Sequence, residues 1–265
     1  MKHFFFFLPF QYFYVTRINS FFVLMNWVFI YVVPTFTLFY LMAGNNSSAM
    51  RYLCYIVIAL AIYSIYEAGY IQNDAETIKF ESNPTLRLSK EQLEYYEEHK
   101  KIIYFVRLSF SLLLGGVALF LMDSSAEQVS LTFISLTMIG VIYYMYNHIR
   151  NTFTLLLLLL LVSFRYATPL MFVYTKEEEF YILLIILIYP ILNLLDWTYK
   201  PQFKKYALPF NQTVVRIGYY VLLNGVFGYM FYFTLCEQYK IALILSLYFL
   251  LYRMIFSYVY HRVRK

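Results

Sequence analysis

Charge is what this sequence has least of. Only 14% of its 265 residues are Asp, Glu, Lys or Arg, against roughly 25% in an ordinary soluble domain, and no polar stretch is long enough to fold by itself. Cysteine is nearly absent. Cys54 and Cys236 lie in or beside apolar runs with no CxxC pair, which excludes a disulfide framework and leaves both as packing residues. No HxxxH or His/Cys ligand spacing occurs, and His148 and His261 read as single interfacial histidines. Walker loops, nucleophile elbows and dinucleotide fingerprints are all missing.

What is present is apolar. Hydrophobic residues make up 62% of the chain, aromatics 22%, and mean hydropathy is +0.59. A helix needs about 20 apolar residues to cross a bilayer, and on that criterion spans are predicted at 20–43, 52–71, 102–122, 129–147, 152–175, 180–195, 211–235 and 241–259. The runs are continuous rather than alternating, which excludes a closed β-barrel. The expected fold is all-α, a polytopic transmembrane bundle of about eight helices forming one membrane domain over 1–265. The aromatic start, Phe4 to Phe10, lacks a small-residue cleavage site and reads as an interfacial segment leading into the first span.

Basic residues set the orientation. Lys79, Arg87, Lys90, Lys100 and Lys101 crowd loop 72–101; His148 and Arg150 mark the turn at 148–151. Lys200, Lys204 and Lys205 occupy loop 196–210, and Arg262, Arg264 and Lys265 end the chain. The alternate connections are neutral or acidic, so both termini and the two long loops are expected to be cytoplasmic. The net charge of +6 then has a topological cause, and nucleic acid is not an expected partner. The expected location is a bacterial plasma membrane. Asn46-Ser47-Ser48 matches an outward-facing glycosylation sequon, a triplet common by chance.

Function is sought among polar groups that a bilayer makes expensive. The richest collection is where the second span ends: Glu67, Tyr70, Gln72, Asn73, Asp74, Glu76, Thr77, Lys79, Glu81, Asn83 and Arg87. If the helix continues, Asp74, Thr77 and Glu81 share one face, an oxygen-rich surface suited to Mg²⁺; a merely solvated loop is the plainer reading. Ser89 to Lys101, with Leu93 and Tyr96 at helical spacing, reads as an interfacial helix or an amphipathic lid. Tyr146 and Arg150 end the fourth span, Asp196, Tyr199 and Lys200 follow the sixth, and Arg216 begins the seventh.

Asn73-Asp74-x-x-Thr77-x-x-x-Glu81, then Asn83-Pro84-Thr85 and Arg87, resembles the first aspartate-rich motif of the UbiA superfamily of intramembrane prenyltransferases. Asp196-Trp197-Thr198-Tyr199 falls where that family has its second acidic motif, and Tyr146 to Arg150 is similar to its landmark at the end of helix four. The chain departs from the pattern at Thr77, at Glu81 and at Lys200, and it shows eight countable spans where the family typically has nine. The resemblance implies a transferase using a polyprenyl (di)phosphate, with either prenyl transfer or the joining of phosphoribose to prenyl phosphate. Asp74, Glu81, Asn73 and Glu76 would hold one Mg²⁺ and Asp196 would serve a second. Lys79, Arg87, Arg150 and Lys200 would neutralise phosphate beside Tyr146 and Tyr199, and Asp74, Glu81, Asp196 and Lys200 form the catalytic set. Lys200 stands in for a metal charge, or the donor is a monophosphate, or catalysis is lost.

Two other readings compete: a transporter or flippase, and a degenerate scaffold subunit. Arg165 in the fifth span and Arg253 in the eighth are read as snorkelling or as helix–helix hydrogen bonds. Asn224, Gly225 and Gly228 are read as close helix packing, and Leu155–Leu161 as lipid-facing filler.

Overall fold

A computed structural model describes residues 3–43, 48–80, 84–149 and 151–263, and every regular element among them is a helix. Short turns at Phe4–Phe6 and the helix α1 (Gln11–Arg17) precede α2 (Phe21–Met42), α3 (Ser48–Ala75), α4 (Lys90–Leu121), α5 (Ala126–His148), α6 (Phe153–Met171), α7 (Lys176–Thr198), α8 (Gln212–Thr234) and α9 (Glu237–Val263). Among the described residues eight helices, α2 to α9, are long and apolar enough to span a membrane, so the chain is a multi-pass membrane protein. Local sequence explains several starts. Ser89 and Ser125 each accept from the backbone N–H three residues on, while Gln92 and Gln128 reach back to the cap N–H, satisfying donors that a helix N-terminus leaves orphaned.

The chain forms two compact units, Met1–Thr175 and Lys176–Lys265. In the first, α3 is central and packs on α4, α5 and α6, while α2 lies along α6. Among the described residues glycine is sterically required at Gly69: a Cβ there would fall 2.2 Å from the Tyr143 ring. That closeness lets Asn147 on α5 donate to the Gly69 carbonyl at 3.0 Å and to Gln72 Oε1 at 2.9 Å.

Proline and tyrosine work as pairs in this fold. Pro34 has no N–H for the Ile30 carbonyl, and the Tyr166 hydroxyl donates to that oxygen at 2.8 Å. Reciprocally, Pro169 on α6 cannot serve the Arg165 carbonyl, and Tyr31 on α2 donates to it at 3.3 Å. The two rings meet edge-on, 5.0 Å apart. In the second unit α7 breaks at Tyr189 before Pro190, and the Leu187 and Ile188 carbonyls accept from Tyr219 and Tyr220 of α8. Lipid offers no hydrogen bonds, so each freed carbonyl needs such a donor.

Three expectations change. The charged stretch from Lys90 is not a separate lid but the first turns of α4, continuous with the span. In the Leu155–Leu161 run, Leu157, Leu158 and Leu161 are buried, because α6 is the most enclosed span, with 61% of its apolar window buried. Gly225 faces open space, and Gly228 meets only Leu243 at an ordinary 3.8 Å, so neither mediates close packing within its unit. Of the sequon Asn46-Ser47-Ser48, the first two residues lie outside the described set, as does Asn83.

Candidate functional site

The polar end of the first unit is organised around Asp74, whose side chain is fully buried at the last turn of α3. Arg17, ending α1, grips it bidentately: Nη1 to Oδ2 at 2.7 Å and Nη2 to Oδ1 at 2.9 Å. Arg87 adds a bond to Oδ1 at 3.1 Å and the Tyr12 hydroxyl one to Oδ2 at 2.9 Å, with Asn73 Nδ2 at 3.4 Å. Five donors therefore fill the roughly four lone-pair positions of one carboxylate. Burial opposes the charge on Arg17, but its hydrogen bonds and attraction to Asp74 outweigh this and hold the guanidinium above its usual pKa. Burial, then the Asp74 charge and hydrogen bond, push the Tyr12 hydroxyl well above its usual value, so it stays a protonated donor.

With two arginines on one aspartate, the trio carries one net positive charge. The Arg17 guanidinium lies 4.5 Å from the Tyr70 ring centroid. Beyond it, Tyr66, Tyr70 and Tyr143 pack edge to face at 4.9–5.8 Å, an aromatic wall leading into the bundle.

A second buried pair anchors the N-terminal segment to this wall. Arg107 on α4 and Glu67 on α3 are both wholly buried and form an ion pair. Arg107 also donates from Nε to the Phe6 carbonyl at 2.8 Å and from Nη2 to the Phe5 carbonyl at 2.9 Å. Glu67 Oε1 accepts from the Phe13 N–H at 2.6 Å. The aromatic start of the chain is thereby folded into the unit, with Phe5, Phe6, Tyr12 and Phe13 buried.

The other expected site residues are distributed. Glu76 accepts from the Tyr96 hydroxyl at 2.6 Å, Lys79 pairs with Glu97 on the exposed start of α4, and the Thr77 hydroxyl turns back onto the Asn73 carbonyl. Tyr146 packs against Tyr143 at 5.9 Å. Glu81 and Arg150 lie outside the described residues. In the second unit, Asp196 accepts from Arg216 Nε at 2.7 Å and from Gln212 at 3.2 Å. The Tyr199 hydroxyl donates to the Leu208 and Phe210 carbonyls. Lys200 is an exposed residue whose ammonium nevertheless lies 3.0 Å from the Trp197 ring centroid; loss of water on that side lowers its pKa to about 8.

Among the described residues, no three of His, Cys, Asp and Glu come together to hold a metal ion. Asp74 is saturated by guanidinium and hydroxyl donors, and a divalent cation would have to displace Arg17 or Arg87 to reach it. The arrangement suits an anion that approaches the arginines. Sequence reasoning passed over Arg17, Tyr12 and Arg107. Arg107 could have been flagged by the criterion that singled out Arg165, an ionisable residue inside an apolar run; Arg17 and Tyr12 carried no such signal, since their partner is 57 or more residues away. Comparison with protein-family models, curated proteins and solved structures found no match.

Proposed function

We propose that the protein is a membrane-embedded transferase whose donor is a polyprenyl (di)phosphate, used for prenyl transfer or for joining phosphoribose to prenyl phosphate. The observation that carries this reading is the Arg17–Asp74–Arg87 cluster: one net positive charge, preorganised by a buried carboxylate, at the polar end of an apolar bundle. The phosphate end of the donor would accept from the unspent N–H groups of Arg17 and Arg87, a charge-assisted contact. As the phosphate departs, these same groups stabilise its growing negative charge. The first isoprene unit would lie against Tyr70 and Tyr143, whose rings would shield a developing allylic cation.

Asp74 spends its oxygens on the two arginines and does not fit the Mg²⁺ that the family resemblance implies. The reading puts both termini and the cluster on the cytoplasmic side of a bacterial plasma membrane, following the basic loops.

The test is binding and turnover of labelled farnesyl phosphate and farnesyl diphosphate by protein in neutral-lipid nanodiscs. Arg87→Gln, at a side chain 31% exposed, removes one charge-assisted bond and should weaken binding about tenfold or more. Unchanged affinity would defeat the assignment. A second reading, transport of a lipid phosphate, draws on the break in α7 at Tyr189–Pro190, a feature of transporter spans. Translocation of the labelled lipid across vesicles without product would favour it.

A further inference from the structure

Arg165 is twelve residues into α6, about 18 Å along the helix from its start. A charged side chain at such depth is expensive and normally finds a counter-charge. Arg107, Arg17 and Arg216 each have a carboxylate; Arg165 pairs with none among the described residues. It is held instead by ring faces, with its guanidinium carbon 4.3 Å from the centroid of Tyr31, 4.7 Å from Tyr66 and 5.3 Å from Tyr63. Its Nη2 donates to the Tyr63 hydroxyl at 2.5 Å, and its Nε–H is buried without an acceptor.

Tyr63 adds an independent sign. Its hydroxyl accepts from Arg165 and also from Trp27 Nε1. Both lone pairs are then used, and the hydroxyl's own proton has no acceptor among the described residues. The backbone that presents this corner is itself unusual: Val28–Val32 of α2 is a π-helical turn carrying Tyr31 and following Trp27, a device that recurs at functional sites. An uncompensated cation, an unspent N–H and an unspent O–H thus occupy one corner of the bundle, and Arg165 keeps part of its surface open.

We propose that Arg165 and Tyr63 form an intramembrane receptor for the anionic head of an amphiphile, a carboxylate or phosphate whose apolar body lies in the bilayer. This site is distinct from the Arg17–Arg87 cluster. Tyr63 and Asp74 are eleven residues apart on α3, about 16 Å of helix, more than a single phosphate or diphosphate spans. Binding would give Arg165 its missing counter-charge and take the Tyr63 proton as a hydrogen bond, altering the environment of Trp27.

Trp27 reports the event directly, since the chain has only two tryptophans and Trp197→Phe leaves it alone. Dodecanoate, dodecyl phosphate and, as a cationic control, dodecyltrimethylammonium are titrated into this protein in neutral-lipid nanodiscs while Trp27 emission is followed. The expected result is a saturable shift with dodecanoate, dodecyl phosphate or both, and none with the cation; the two anions identify the preferred head. Affinity should fall about tenfold or more in Arg165→Gln and by a smaller factor in Tyr63→Phe. Tyr63→Phe keeps the ring over the guanidinium, so it decides the matter if Arg165→Gln fails to fold, as judged by its elution and thermal unfolding. Arg87→Gln, which acts at the interfacial cluster, should leave the Trp27 response as it is. No saturable shift with either anion, equal affinity in Tyr63→Phe, or loss of the response in Arg87→Gln would each overturn the proposal.

Discussion

Replacing Arg107 by Met tests the way the N-terminal segment is held. The side chain is wholly buried, as is that of its partner Glu67, so the substitution strands a carboxylate where water cannot reach it. Breaking a buried pair in this way costs about 3–5 kcal/mol. The Phe5 and Phe6 carbonyls lose their donors as well, at about 1–3 kcal/mol each if they stay buried. That second cost is limited, because residues 3–10 can leave the bundle for water. Arg107→Met should therefore destabilise the first unit by at least about 3 kcal/mol and expose the Phe4–Phe13 stretch to chymotrypsin. The double variant Glu67→Gln/Arg107→Met removes the stranded charge, while the new side-chain amide oxygen can still accept from the Phe13 N–H. It should be more stable than Arg107→Met alone, with a coupling energy of at least about 2 kcal/mol. Equilibrium unfolding in mixed micelles measures both values, and limited proteolysis reads the segment. A cost below about 1 kcal/mol for Arg107→Met, or strict additivity in the double variant, would refute the reasoning.

Tyr166→Phe should destabilise the protein by about 1–3 kcal/mol, because the Ile30 carbonyl that Pro34 cannot serve loses its donor inside the bilayer; detergent unfolding against wild type reads the difference. Gly69→Ala places a methyl group into the Tyr143 ring and should cost about 1–3 kcal/mol as Tyr143 and Asn147 shift, measured in the same way. Lys200 should acylate with a half-titration near pH 8, not at the ordinary lysine value of 10.5. It is charged below that pH and neutral above it, and Trp197→Ala, which removes the apolar cover, should move the midpoint upward in competitive labelling.

The number and order of the eight spans were legible from the sequence, because bilayer thickness imposes a run of apolar residues that local composition reveals. Two helices run well past the predicted bounds: 52–71 became Ala49–Phe80 and 102–122 became Lys90–Leu121, their charged turns lying beyond the apolar run. The predicted run at 129–147 became Ala126–His148, and the short, Pro190-containing run at 180–195 became Lys176–Thr198 with a break at Tyr189. The capping pairs are equally local, Ser89 with Gln92 and Ser125 with Gln128, but they came from the structure and were not read in the sequence. Asp74 and Asp196 stood out as carboxylates beside the membrane.

What these carboxylates do was decided only in three dimensions. Spacing along one helix put Asp74 and Thr77 on a common face and suggested oxygen ligands. The fold instead brings Arg17 from 57 residues away and Arg87 from 13 residues away onto Asp74, and the Thr77 hydroxyl bonds its own backbone. The same holds for Arg107, which reaches Phe5 and Phe6 across 102 and 101 residues, and for Arg165, whose tyrosine cage draws on α2 and α3. Hydrophobic periodicity records which residues meet lipid or core; it carries no information on which buried charge meets which partner. Electrostatic pairing is a contact between distant segments, so the sequence determined a multi-span helical membrane protein, and tertiary structure alone decided that its buried aspartate is a socket for arginines.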